Sequence, residues 1–125
     1  LIKEQIDAGI PANKIVLAGF SQGGVLSLFT GLRYPEKLAG IMALSCYLPT
    51  ADTLPEHCHS ANKETEILQH HGEQDDVVPM SAGQMAHQLL KQEGYHVNWQ
   101  SYRMPHSVLP EQLADISAWL QARLA

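Results

Sequence analysis

The sequence predicts an α/β layer sandwich: about four parallel strands with helices on both faces. Three observations carry this expectation. Short apolar runs alternate along the chain with longer stretches of helical period, the pattern of parallel strands joined by right-handed crossovers. Two of the runs, Lys14-Ile15-Val16-Leu17-Ala18 and Ala39-Gly40-Ile41-Met42-Ala43-Leu44-Ser45, are apolar almost throughout rather than alternating, as suits strands covered on both faces. Finally, a glycine-flanked turn, Gly19-Phe20-Ser21-Gln22-Gly23-Gly24, joins the first run directly to a helical one.

Residues 1 to 9, with Leu1, Ile2 and Ile6 on one face, read as the end of a helix closed by Gly9. Pro11-Ala12-Asn13 then leads into a first strand over 14 to 18. Val25, Leu26, Leu28, Phe29 and Leu32 recur at helical spacing until Tyr34-Pro35, which predicts a helix over 22 to 33. The second strand spans 39 to 45. Residues 46 to 64 hold two prolines, polar side chains and no period, so they read as a long loop, and long loops are often functional. Glu66 to His71 form a third strand ending in Gly72, followed by the acidic turn Glu73 to Asp76 and the segment Val77-Val78-Pro79. Met85, Leu89 and Leu90 with flanking alanines predict a helix from Met80 to Glu93, stopped by Gly94. His96 to Tyr102 alternates and is rich in strand formers, so it is the fourth strand. Leu113, Ile116, Leu120 and Leu124 behind Pro110 predict the last helix over 110 to 124. Trp99 and Trp119 read as core or sheet-covering residues.

At 125 residues the chain is a single domain, residues 1–125, and long enough to bury about two thirds of its unfolded surface. A net charge of −5 with no basic cluster argues against a nucleic-acid surface and favours small neutral or apolar partners. Cys46 and Cys58 are too few for a disulfide framework and read as free thiols in a reducing, cytoplasmic compartment. No apolar run approaches the roughly 20 residues of a membrane span. His57-Cys58-His59 lies in an irregular loop without a second ligand cluster, so neither a metal nor any other cofactor is expected. The chain opens on Leu1 inside an amphipathic stretch and reads as a piece of something longer.

Ser21 is the candidate nucleophile. A Gly-x-Ser-x-Gly turn between strand and helix is a nucleophile elbow, in which side chains at Gly19 and Gly23 are expected to collide with neighbouring backbone. The serine then stands at the positive end of the following helix, where a developing oxyanion is favoured. Serine needs a base, and the base an acid to orient it. Catalytic groups in such a sheet gather at the carboxyl ends of the strands. That rule selects His106, in the loop after the last strand, over His87 in mid-helix and His96 at the opposite strand end; His57 and His59 stay open by position. His71-Gly72 reads as shaping a turn. The acid falls in the turn Glu73 to Asp76, where Asp75 and Asp76 are tied on spacing alone.

Three motifs in this order, Gly-Phe-Ser-Gln-Gly-Gly at 19 to 24, His-Gly-x-x-Asp-x-x-Val-Pro at 71 to 79 and Met-Pro-His at 104 to 106, resemble the phospholipase/carboxylesterase family of α/β-hydrolases, which includes small bacterial carboxylesterases and acyl-protein thioesterases. The resemblance runs along essentially the whole chain. It implies Ser21 as nucleophile, Asp75 as acid, which breaks the tie, and His106 as base. It further implies Gln22 as a backbone N–H donor to the oxyanion, with Val77 and Leu48 bordering the acyl pocket. Met104 either flanks that pocket or packs beside Pro105. The resemblance also implies about a hundred further residues upstream, carrying the opening strands and a His-Gly-x-Gly loop with the second oxyanion donor, so the chain reads as a C-terminal portion. The first strand would then be an apolar edge, expected to pair with a second copy or with the upstream half. The expected activity is hydrolysis of short to medium acyl esters through an acyl-enzyme. The alternatives are acyl-protein thioesterase or lysophospholipase-like activity, and a non-catalytic fragment lacking part of the oxyanion hole. Action on long acyl chains is disfavoured by the lack of an obvious lid helix.

Overall fold

The computed structural model describes residues 2–48 and 60–125. Among them, β1 (Val16–Phe20), β2 (Gly40–Leu44), β3 (Glu66–Gly72) and β4 (His96–Tyr102) pair in chain order, every pair parallel. A short α1 (Ile2–Asp7) precedes the sheet. Helix α2 (Gln22–Arg33) connects β1 to β2, α3 (Met80–Gln92) connects β3 to β4, and α4 (Pro110–Leu124) follows β4. This is the α/β layer sandwich that the alternation of periods predicts. Of the long loop, residues 49–59 lie outside the described residues, and with them His57, Cys58 and His59. No described helix is long and apolar enough to cross a membrane.

The first strand sits two residues later than expected. A tight turn over Ala12–Lys14, closed by Ile15 N–H donating to the Ala12 carbonyl at 3.0 Å, consumes Lys14. At the other end Gly19 and Phe20 keep pairing with Ala43 and Leu44, so β1 runs up to the serine itself.

The pleat of β2 sorts the core. Ile41 and Ala43 face Leu28 and Leu32 of α2 and Leu90 of α3, while Met42 faces Trp119 of α4 with Ile116 and Leu120 beside it. Helices therefore cover both faces. Trp119 reaches the sheet over Gly40, where a Cβ would lie 2.5 Å from the indole.

Helix faces differ from those the large apolar residues predict. Leu26, Phe29, Met85, Leu113 and Leu124 are exposed. The buried stripes are Gly24, Ser27, Leu28, Gly31 and Leu32 in α2, Gly83, Ala86 and Leu90 in α3, and Gln112 and Trp119 in α4. Small residues are the reason: a Cβ at Gly31 would sit 2.5 Å from Ile41 Cδ1, so glycine lets α2 approach the sheet closely. Met104 is buried beside Gly72, the packing role. Cys46 is a free, buried thiol, and burial pushes its pKa up to about 12.

One buried polar link ties α4 to the sheet. Gln112 Nε2 donates to His70 Nδ1 at 3.1 Å, and the same amide's oxygen accepts the Leu109 N–H at 3.3 Å. The His70 ring meets Tyr102 edge-on at 5.0 Å. Burial pulls His70 down to about 4, against the opposing pull of Asp115. A histidine held uncharged by folding takes up fewer protons than the unfolded chain between these values, so its contribution is complete above about 6.5 and drains away as the pH falls towards about 4. That change is worth on the order of 3 kcal/mol. Urea unfolding of the wild type should therefore lose more stability between pH 7 and pH 4 than a His70→Gln variant does; parallel pH profiles for the two proteins would contradict it.

Candidate active site

Ser21 adopts φ 58°, ψ −118°, a conformation that costs a non-glycine residue on the order of 1–3 kcal/mol. Its surroundings over-determine it. The Ser21 N–H extends the ladder by donating to the Leu44 carbonyl at 2.8 Å, and the Ser21 carbonyl accepts from Val25 N–H at 3.2 Å, already inside α2. A Cβ at Gly19 would lie 2.1 Å from the Gly23 carbonyl carbon, so the elbow closes only with glycine at 19.

The expectation for Gly23 is corrected. A Cβ there meets nothing within 4 Å, whereas one at Gly24 would come 2.9 Å from Cys46 Cβ and 3.1 Å from the Gly19 carbonyl oxygen. Gly23 contributes its backbone as the surface Gly19 packs on, and the second steric requirement falls on Gly24. Gln22 begins α2, where a helix leaves its first N–H groups without intrahelical partners. Its N–H is thus a donor at the positive helix end beside Ser21.

Asp75 and His106 are brought together from neighbouring loops. His106 Nδ1 lies 2.7 Å from Asp75 Oδ2; Asp75 is fully buried and the imidazole nearly so, 15% exposed. Asp75 Oδ1 accepts the N–H groups of Val77 at 2.9 Å and Val78 at 2.8 Å. Burial acts to raise the Asp75 pKa, but the His106 bond and the two backbone bonds outweigh it and hold the carboxyl below its usual range. An ionised carboxylate only accepts, so the Nδ1 of His106 carries the proton and Nε2 is left free to act as a base. Asp76, its rival by spacing, is exposed.

Ser21 belongs to the same end of the sheet, and Phe20 bridges the gap: its ring lies 4.6 Å from that of His106, tilted by 44°. Among the described residues no hydrogen bond joins the Ser21 hydroxyl to His106. Of the other described histidines, His71 lies behind the Asp75 turn, its Nε2 3.5 Å from Asp75 Oδ2, and the remaining three stand apart. His96 pairs with Glu64 at 2.8 Å on the surface, His87 stacks on Trp99, and His70 faces α4.

A groove of about 670 Å³ opens between α3 and the segment after β2, lined by Tyr47, Leu48, Val77, Pro79, Met85 and Leu89 among others. It contains both expected pocket residues, Val77 and Leu48, and reaches the Asp75 turn through Val77 and Val78. Neither Ser21 nor His106 lines it. Sequence reasoning missed Phe20 as a neighbour of His106 and Met85 as a groove residue. The signal for Met85 lay in its spacing from Gly83 and Ala86, which puts it off the sheet-facing stripe.

Comparisons with known proteins bear on the family and the fold. The profile of a family described as Phospholipase/Carboxylesterase matches residues 1–124. An acyl-protein thioesterase 1 of Gibberella zeae is 42% identical over 127 residues, which cover 99% of this chain and 54% of that protein. One of Neurospora crassa is 46% identical over 129 residues, covering 99% and 52%. The chain thus spans about half the length of these curated relatives. The crystal structure of Arabidopsis thaliana SOBER1 superposes with a TM-score of 0.93 at 33% identity, covering 99% of this chain and 60% of that one.

The glycine assignment is testable by stability alone. Gly19→Ala should destabilise the fold by about 3 kcal/mol or more, since rigid backbone opposes the new methyl. Gly23→Ala should be neutral or stabilising by up to about 1 kcal/mol, the helix-propensity gain. Denaturant midpoints of the two variants check this, and equal losses would refute it.

Proposed function

The chain belongs to the phospholipase/carboxylesterase family, and from that premise we propose that it hydrolyses carboxylic esters and thioesters through an acyl-enzyme on Ser21. The observation that carries the reading is the 2.7 Å contact between the buried Asp75 carboxylate and His106 Nδ1 at the sheet end that holds the strained Ser21. Asp75 keeps the imidazole in the tautomer whose Nε2 is free. His106 takes the Ser21 proton as the hydroxyl oxygen attacks the carbonyl carbon, and returns it to the leaving alcohol or thiol. Gln22 N–H donates to the oxyanion. Water, deprotonated by His106, then attacks the acyl-enzyme, and Ser21 leaves with the proton.

A thioester preference is favoured over simple carboxylesterase action by the relatives, which are named acyl-protein thioesterases. The apolar groove beside Val77 and Leu48 suits the acyl chain.

The test is reaction with a fluorophosphonate probe, together with turnover of matched acyl esters and acyl thioesters. The wild type should be labelled on Ser21, Ser21→Ala should abolish labelling, and Asp75→Asn should slow acylation by about 10⁴-fold through loss of the correct tautomer. Labelling that survives Ser21→Ala would end the proposal. Hydrolysis of the oxygen ester in clear preference to the thioester would return the reading to a carboxylesterase.

A further inference from the structure

His71 is the most enclosed titratable side chain near the site, and the mechanism above leaves it without a role. It sits on the α3 face of β3, wholly buried. Its Nε2 lies 2.7 Å from the Val78 carbonyl oxygen and 3.5 Å from Asp75 Oδ2. A carbonyl only accepts, so Nε2 carries the proton and donates it to Val78. Nδ1 is buried with no hydrogen-bond partner among the described residues.

The ring is held on its remaining sides. Gly83 of α3 lies against Nδ1 so closely that a Cβ there would be 2.4 Å away. Trp99 stacks on the imidazole at 6.2 Å with the planes 19° apart. Two residues earlier on the same face of β3, Gln69 Nε2 donates to the Gly83 carbonyl at 2.8 Å, which registers α3 against the strand and fixes Gly83 where it meets the ring. His71 therefore has one accessible geometry, and its one donor is spent on the turn that carries the acid.

The consequence runs through Val78. That residue is gripped at both ends: its N–H goes to Asp75 Oδ1 and its carbonyl to His71 Nε2. Freed from His71, the Val77-Val78 backbone is no longer held where its two N–H groups meet Oδ1, and Asp75 loses the bonds that aim Oδ2 at His106. Burial would then favour the carboxyl turning away or taking up a proton. We infer that His71 is a positioning residue for the acid: its Nε2–H, anchored on the Val78 carbonyl, locks the turn that points the Asp75 carboxylate at His106. The inference rests on the Ser21, Asp75 and His106 reading for its effect on rate, but its geometric content stands apart from activity.

The experiment compares wild type, His71→Leu and His71→Gln of the whole chain by ¹⁵N NMR of the imidazoles and by the rate of fluorophosphonate labelling. Glutamine places an amide N–H about where the imidazole Nε2–H lies; leucine fills space without a donor. In the wild type the His71 Nε2–H should be protected from solvent exchange, and His106 should show its proton on Nδ1. His71→Leu should lose the His106 Nδ1–H signal and label about a hundredfold more slowly, the effect of a misaimed catalytic group, while His71→Gln keeps the signal and stays within about tenfold of wild type. A folded His71→Leu with the His106 signal intact and wild-type labelling overturns the inference, as does a His71→Gln variant as impaired as His71→Leu. Should His71→Leu not fold, the wild-type His71 proton and the glutamine variant decide alone: an unprotected proton or a folded, impaired glutamine variant overturns the inference, and a protected proton with an unimpaired variant supports it. Absence of labelling in the wild type would count against the proposed hydrolysis, and the NMR comparison would still judge His71.

Discussion

A buried carboxylate is expensive to ionise, and the carboxyl end of this sheet is built around keeping one ionised. Asp75 is withdrawn from water, yet both its oxygens are occupied, Oδ1 by two backbone N–H groups and Oδ2 by His106. Those bonds exist because the loops after β3 and β4 are sewn together by backbone. Glu73 N–H donates to the Tyr102 carbonyl at 2.8 Å and Gln74 N–H to the Met104 carbonyl at 3.1 Å. Gly72 permits the contact, since a Cβ there would stand 2.3 Å from the Met104 carbonyl oxygen. Asp75 and His106 are thus placed by the main chain before their side chains meet, and the 2.7 Å contact follows from the parallel pairing of Gly72 with Tyr102.

The elbow is the second constraint, and it works by sterics where the acid turn works by charge. Packing of Gly19 on the Gly23 backbone, with the ladder bond from Ser21 to Leu44, holds a serine in a conformation that serine avoids. Strain of this kind persists only where the surroundings over-determine it. Both devices share β2 and β3 as their foundation: Leu44, which receives the Ser21 N–H, pairs with His70, the residue before His71. Alternation along β3 then divides the labour, with His70 pinning α4 on one face and His71 lying behind Asp75 on the other.

Much of this was legible in the sequence because local chemistry and tertiary role coincide. The bounds of β4 and α4 agree with the alternating run from His96 and with Pro110, since strand propensity and a fixed proline φ need no partner to act. Ser21 and His106 were legible from glycine spacing and from position at strand ends. Sequence pattern falls short where a residue's place depends on what lies across a contact. The exposed Leu26 and Phe29 and the buried Gly24 and Gly31 reflect the close approach of α2 to the sheet, which no helical period reports. Gly23 and Gly24 cannot be told apart without knowing that Cys46 lies under one of them. Asp75 and Asp76 are tied on spacing, the family motif selects the first, and the fold of the turn buries Asp75 and exposes Asp76.

Everything proposed for the site depends on Asp75 dictating which nitrogen of His106 carries the proton. The direct measurement is the ¹⁵N NMR tautomer state of His106 in the uncharged imidazole form of the wild-type chain. The proton is expected on Nδ1, facing Asp75, with Nε2 bare. A His106 protonated mainly on Nε2 would contradict it, because that ring could not take a proton from Ser21.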